Sequence, residues 1–463
     1  MMGLSRCGWS FNLITQRTLN EGSDMPAQTL TLASASPRRL SLLQQAHPHV
    51  YCAPADIDEV RRPGEAPRDF ALRMAQEKAL AGEQRARWVI AGDTVVALGE
   101  RVFGKPSSEL EACEMLEALS GETHHVWSGW AIRGEQGDQD QVWRSGVSCA
   151  QVTFKRLNAE EIKRYVATGE PMDKAGAYGI QGGGGALIER FEGSFDGVMG
   201  LPTLEVVEAL MALGALTPRT PDLLLNSLSI RERMRAAAWR SGRPADEPRL
   251  LAVSKRHPVE LIQEAMSYGL TDLGESYTQE LLEKRSSLTL TQVGPVPCSP
   301  VWHYIGAIQT NKARRIGASS RWVHGVSRLA ELERLAEGAQ SASEELQIPL
   351  HANPLRVLLQ VNLSGEKTKG GVSPSELPTL LEASARVAGV RVEGLMTFPP
   401  LTEPEESRPY FRALRSLRDE LATPERPLYH LSMGTSHDYE VAIEEGATWV
   451  RVGSALFGER PSR

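Results

Sequence analysis

The stretch Leu213-Gly214-Ala215-Leu216-Thr217-Pro218-Arg219-Thr220-Pro221-Asp222 divides the chain into two texts, each reading as a complete protein. A helix-like run over 204–213 ends at Gly214, the residue that most readily takes the left-handed conformation closing a helix. Pro218 and Pro221 follow, each lacking an N–H and disfavouring helix in the residue before it. A new amphipathic pattern then begins, with Leu225, Leu228, Met234 and Ala238 near helical spacing. At about 100–200 residues per domain, the length suits two domains. The expected organisation is an extension over 1–25, a first domain over 26–213, a semi-rigid linker over 214–224 and a second domain over 225–463.

Bulk composition narrows the function classes. A net charge of −7 argues against a broad grip on nucleic acid or an anionic membrane, so any phosphate chemistry must be confined to pockets. Cys7, Cys52, Cys113, Cys149 and Cys298 are odd in number and scattered, with no C-x-x-C pair. That fits neither a disulfide framework nor a zinc site, and it points to a reducing cytoplasm. No apolar run is long enough to span a bilayer. The first residues lack the apolar core of a signal peptide and read either as a disordered tail or as sequence upstream of a start at Met25.

Three stretches of the first half carry chemistry. A strand over 29–33 runs through Ser34, Ser36, Arg38 and Arg39 into a helix opened by Pro37 and reaching about Gln45. Free N–H groups at a helix start and two forked guanidinium groups suit a phosphate chain. Solvated arginines beside an ordinary helix start are the competing reading. The apolar run 88–96 is interrupted by Asp93 and Thr94. An unpaired buried carboxylate is costly, so Asp93 either faces a ligand at the strand's open end or is paired. Glu59, after Asp56 and Asp58, is placed to join Asp93 around Mg²⁺, a hard cation served by a few carboxylates and substrate phosphates. Lys78 and Lys105 add positive charge, or are surface lysines. The third stretch, 173–185, sets Gln181 before four glycines and reads as a loop closing over a ligand or as a loose turn.

In order, Ser34-Ala35-Ser36-Pro37-Arg38-Arg39, Gly92-Asp93-Thr94, Gly104-Lys105-Pro106, Asp173-Lys174-Ala175-Gly176-Ala177-Tyr178-Gly179-Ile180-Gln181 and Gly200-Leu201-Pro202 resemble the Maf family of nucleotide pyrophosphatases. The resemblance implies hydrolysis of a nucleoside triphosphate to monophosphate and pyrophosphate with a divalent metal, Mg²⁺ or Mn²⁺. Asp93 would be either proton acceptor or metal ligand, with Glu59 as a further metal ligand. Arg38, Arg39, Lys78 and Lys105 would hold the substrate. Arg38, Thr94 and Gln181 match the subgroup acting on dTTP and UTP, and the family also implies a homodimer through this half.

From Arg249 onward, short apolar runs alternate with helical patterns at 249–253, 271–273, 302–305, 322–323, 356–361, 392–395, 428–431 and 448–452. Eight such runs after one extra helix over 228–240 predict a (β/α)8 barrel, whose chemistry lies just past the strand ends. Lys255 closes the first strand, where desolvation favours a neutral amine able to condense with an aldehyde. A lysine snorkelling from the barrel mouth is the bland alternative. After the last two strands, Ser432-Met433-Gly434-Thr435-Ser436 and Arg451-Val452-Gly453-Ser454 offer glycine N–H groups and hydroxyls for a phosphate.

Ala252-Val253-Ser254-Lys255, Gly274-Glu275-Ser276-Tyr277, His303-Tyr304-Ile305-Gly306, Gln309-Thr310-Asn311-Lys312, Gln360-Val361-Asn362, Gly394-Leu395-Met396-Thr397, Ser432-Met433-Gly434 and Val450-Arg451-Val452-Gly453-Ser454 resemble the YggS-type pyridoxal phosphate homeostasis proteins. That resemblance implies pyridoxal 5′-phosphate (PLP) on Lys255, Arg451 at the pyridine nitrogen, and Asn362, Ser432, Gly453 and Ser454 as further binding residues, the last three for phosphate. An arginine there weakens the ring as an electron sink, which favours a carrier over a catalyst. Ser276 and Thr435 depart from the usual asparagine and methionine, and the loops 286–300 and 342–354 are longer than usual. The rival reading is a PLP-dependent amino-acid racemase barrel with a nucleotide-sensing regulatory domain.

Overall fold

A computed structural model of the chain describes residues 30–83, 86–136, 140–288, 299–347, 351–366 and 369–460. The expected extension over 1–25, Cys7, Cys298 and the centres of both longer loops lie outside these residues.

The first half is built on a seven-stranded mixed sheet ordered β2-β1-β3-β5-β6-β7, with β4 on the outer part of β3. Its strands are β1 (Leu30–Leu32), β2 (Val50–Cys52), β3 (Trp88–Leu98), β4 (Arg101–Phe103), β5 (Thr123–Gln136), β6 (Asp140–Phe154) and β7 (Ile188–Glu192). β2, β1 and the start of β3 are parallel, and the rest of the sheet is antiparallel. The parallel register ends at Leu32 opposite Ile90, so β3 continues past β1 carrying Asp93 and Thr94. Helix Pro67–Ala81 crosses β3 and β5 so closely that a Cβ on Gly129 would stand 2.2 Å from the Ala71 carbonyl oxygen.

The second half is a closed barrel of eight parallel strands. These are β8 (Arg249–Val253), β9 (Asp272–Glu275), β10 (Val301–Tyr304), β11 (Trp322–Val326), β12 (Leu355–Gln360), β13 (Val390–Met396), β14 (His430–Thr435) and β15 (Trp449–Val452). The predicted eight-strand count and order hold. The strand expected at 428 begins at His430, because Leu428 takes a positive φ of 44° that no strand accommodates. β11 runs past Val323 through His324, whose ring is fully buried inside the barrel.

The joint differs from a spacer. Helix Thr203–Ala212 closes at Gly214 with φ 70°, and the Ala215 N–H returns to the Leu210 carbonyl at 2.8 Å. Ala215 and Leu216 are then buried, and Pro221 already opens helix Pro221–Arg240, so 214–224 is a packed turn and a helix start. One apolar cluster runs from Leu30 and Leu210 through Leu216 and Leu224 into the barrel. Apolar side chains at the joint are therefore covered by both halves.

Candidate functional site

Ser36 caps helix Pro37–Gln44 and presents Arg38 and Arg39 in its first turn. Arg39 is spread across three acceptors: Nε donates to the Gly200 carbonyl at 2.8 Å, and its two Nη atoms donate to Ser34 Oγ and Thr94 Oγ1, each at 3.1 Å. Burial lowers its pKa, while Asp93 and Glu59 oppose that shift. Arg38 reaches Asp173 at 3.4 Å, and Asp173 also binds Lys174.

Asp93 is paired, and it also lies beyond the parallel edge of the sheet. Lys78, from helix Pro67–Ala81, places its Nζ 2.6 Å from Asp93 Oδ1 and 2.7 Å from Glu59 Oε1. Burial alone would raise the Glu59 pKa, but the Lys78 hydrogen bond, with Lys78, Lys105 and Arg39 charges, holds it below the usual range. Five of the expected side chains therefore share one electrostatic neighbourhood: Arg39, Glu59, Lys78, Asp93 and Lys105. Lys105 is exposed. Gln181 sits half-buried at the start of the turn Gly182–Leu187. That glycine run is not loose: Glu170 accepts from Gly183 N–H at 3.0 Å, Gly184 N–H at 3.2 Å and the Tyr165 hydroxyl at 3.0 Å.

For a divalent cation, Glu59 and Asp93 are the converging carboxylates, a donor set suited to a hard ion that keeps much of its water. Among the described residues no group of three or more His, Cys, Asp or Glu side chains is gathered for a metal. Any such ion would depend on substrate phosphates for the rest of its shell.

At the barrel mouth, Lys255 lies beyond β8 with Nζ 3.4 Å from Ser276 Oγ. Burial lowers its pKa, and Arg460, Arg256 and Arg451 add to this against Glu275. Glu275 at the end of β9 is fully buried, its Oε1 taking Ser254 Oγ and Lys284 Nζ, each at 2.7 Å. Arg451 on β15 donates through Nη atoms to Ser432 Oγ and the Thr397 carbonyl, each at 2.9 Å, and its guanidinium lies 4.2 Å over the Phe398 ring. Burial pushes its pKa down to about 10, so it remains a cation at neutral pH. Among the described residues Arg451 Nε is buried without a partner, a donor left for an acceptor such as a ring nitrogen.

Two expected binding residues are committed elsewhere. Ser432 is fully buried, held by Arg451 and by His324 Nδ1 at 2.9 Å, in a chain that continues through His303 to Asp272. It supports Arg451 from within the barrel and does not line a phosphate cup. Asn362 ties its own loop, donating to the Glu366 and Lys369 carbonyls and accepting from Ser364 Oγ and Gly365 N–H. Gly453 and Ser454 do stand together at the start of helix Ser454–Phe457. Beside them is Ser436, the last residue of the stretch 432–436 expected at the phosphate. Its Oγ accepts from Gly453 N–H at 3.1 Å and Ala455 N–H at 3.2 Å, the donors that a phosphate oxygen would use. A desolvated amine, an unpartnered guanidinium nitrogen and this N–H cluster fit a ligand with an aldehyde, a ring acceptor and a phosphate.

The fold and sites define a two-part α/β protein: a mixed sheet with a charged side-chain cluster, joined to a parallel barrel with a lysine at its mouth. The Maf-like protein family matches residues 29–213, and the alanine racemase N-terminal domain family matches 226–461, just over half of the chain. The chain belongs to the alanine racemase N-terminal domain family through its barrel and to the Maf-like proteins through its first half. The pyridoxal phosphate homeostasis protein of Aquifex aeolicus is 43% identical over 233 residues, covering 50% of this chain and 94% of that protein. The dTTP/UTP pyrophosphatase of Geobacter sulfurreducens is 47% identical over 193 residues, covering 40% of this chain and 97% of that protein. PipY of Synechococcus elongatus, solved with PLP bound, is 35% identical with a TM-score of 0.40, covering 49% of this chain and 99% of PipY.

Proposed function

We propose that the chain is a bifunctional cytoplasmic protein whose first half hydrolyses nucleoside triphosphates, dTTP and UTP foremost, to monophosphate and pyrophosphate. Its second half binds PLP on Lys255 and serves homeostasis of that cofactor without catalysis of its own. The observation that carries the first part is the convergence of Asp93 and Glu59 on Lys78, beside the spread guanidinium of Arg39. Asp93 accepts the proton of the attacking water or holds the cation, and Lys78 fixes its orientation. Arg38, Arg39 and Lys105 offset charge developing on the leaving pyrophosphate. Glu59 and Asp93 would hold Mg²⁺ or Mn²⁺, which polarises the phosphoryl oxygens. Thr94, which accepts from Arg39, and Gln181 would serve as specificity residues, and a homodimer would form through this half.

In the barrel, bound PLP would supply an electrophilic aldehyde and a conjugated ring. Lys255 offers the amine, Gly453, Ser454 and Ser436 offer phosphate contacts, and Arg451 Nε would donate to the ring nitrogen. An arginine charged at neutral pH there would keep that nitrogen unprotonated, which suits storage over racemisation. The experiment is a panel of nucleoside triphosphates assayed with Mg²⁺ for pyrophosphate, together with an assay for alanine and serine racemisation. Racemase activity would overturn the carrier reading, and an inert panel would overturn the hydrolase reading.

A further inference from the structure

Helix Pro221–Arg240 precedes the barrel, yet Glu232, Arg235 and Trp239 face the first half. Arg235 clasps Asp196 through Nε at 3.0 Å and through Nη2 at 2.6 Å and 2.8 Å to its two oxygens, with the Asp196 side chain only 2% exposed. Glu232 Oε1 accepts from Ser194 Oγ at 2.6 Å and from Asp196 N–H at 3.1 Å. Trp239 Nε1 donates to the Gly185 carbonyl at 3.3 Å, and its ring meets Phe191 edge-on at 5.0 Å.

The Arg235 and Glu232 contacts grip the beginning of helix Phe195–Met199, which is too short to hold itself in place. Its far end enters the nucleotide cleft. The Gly197 carbonyl accepts from Ser128 Oγ at 2.6 Å, and the carbonyl of its C-terminal cap, Gly200, accepts from Arg39 Nε at 2.8 Å. Ser128 and Arg39 both meet Thr94. The opposite side of helix Pro221–Arg240 is fixed to the barrel, by Asn226 to the Leu456 carbonyl and by Arg233 and Arg240 to Glu440 and Glu444.

We infer that Arg235 and Glu232, supplied by the barrel half, are positioning residues for the nucleotide site. Through helix Phe195–Met199 they set the Gly200 carbonyl and hence the spread of Arg39 toward a triphosphate. This rests on the hydrolase reading of the first half. The two halves are thus not independent units on a tether, since a buried carboxylate of one takes its counter-charge from the other.

The test is steady-state pyrophosphate release from dTTP by the full chain and its variants. Arg235→Ala leaves Asp196 without its partner, so Asp196→Asn/Arg235→Gln, which removes both charges, is run beside it, together with Arg235→Lys. The expected result is a KM raised about tenfold or more in the first two variants with kcat little changed, and partial recovery in Arg235→Lys. A purely structural loss would lower the active fraction, and so kcat, without moving KM. A KM equal to wild type in Arg235→Ala or in the double variant overturns the inference. No release by wild type overturns the hydrolase reading and this inference with it, and the two failures are distinguished by the wild-type rate.

Discussion

Lys78 and Asp93 form an ion pair at 2.6 Å with their side chains 10% and 12% exposed, at the point where β3 outruns the parallel part of its sheet. Removing one member of such a pair leaves a charge with little water around it. Lys78→Met is expected to cost about 3–5 kcal/mol, read as a lower urea midpoint of the first half, and to abolish pyrophosphate release. The double variant Lys78→Met/Asp93→Asn should recover much of that stability and none of the activity.

Glu65 and Arg73 make a second, purely structural pair that holds the 60–65 segment against helix Pro67–Ala81. The Arg73 hydrogen bond, with an added Arg62 contact, holds the Glu65 carboxyl down at about 2, against its ordinary 4.5. With the folded pKa below the unfolded one, its stabilisation is full above the unfolded pKa. That stabilisation is lost as pH falls through the window down to the folded value. Unfolding titrations of Glu65→Gln should show a flatter acid limb there and a lower plateau at neutral pH. An unchanged limb would remove Glu65 from the account.

Lys255→Ala should eliminate the visible absorbance of protein mixed with PLP and purified from the excess. Arg451, whose Nε–H is buried without an acceptor among the described residues, should cost stability when no ligand supplies one. Added PLP should therefore raise the thermal midpoint of wild type more than that of Arg451→Gln.

Ser436→Ala and Ser432→Ala separate the phosphate contact from the support beneath Arg451. Ser436→Ala is expected to weaken PLP binding about tenfold with little change in stability. Ser432→Ala, which strips a partner from both Arg451 and His324, should cost about 1–3 kcal/mol of stability. The reverse outcome would restore Ser432 to the phosphate cup.

The barrel was legible because most of its strands hold a short apolar run between helical patterns, and the mouth residues follow at strand ends. Sequence alone could not choose between Ser432 and Ser436. Both are hydroxyls of one short stretch, but Ser432 lies inside β14 and meets His324, while Ser436 lies just past the strand's end beside Gly453. The apolar run ends at Val323, yet β11 continues through His324, whose imidazole is met inside the barrel by His303 and Ser432. In the first half, local patterns located Asp93 and Arg39 but not the carbonyl of Gly200 that orients the guanidinium. Nor did any local signal mark Asp196 and Arg235, which belong to different halves and meet only in the folded chain. The prolines of the joint suggested a spacer, but Pro221 is the first residue of a helix and Leu216 is covered.

The most direct measurement is pyrophosphate release from dTTP and UTP with Mg²⁺ by the full chain and by its Asp93→Asn variant. The account predicts turnover in wild type, with dTTP and UTP preferred over purine triphosphates, and none above background in the variant. Equal turnover by both proteins would contradict it.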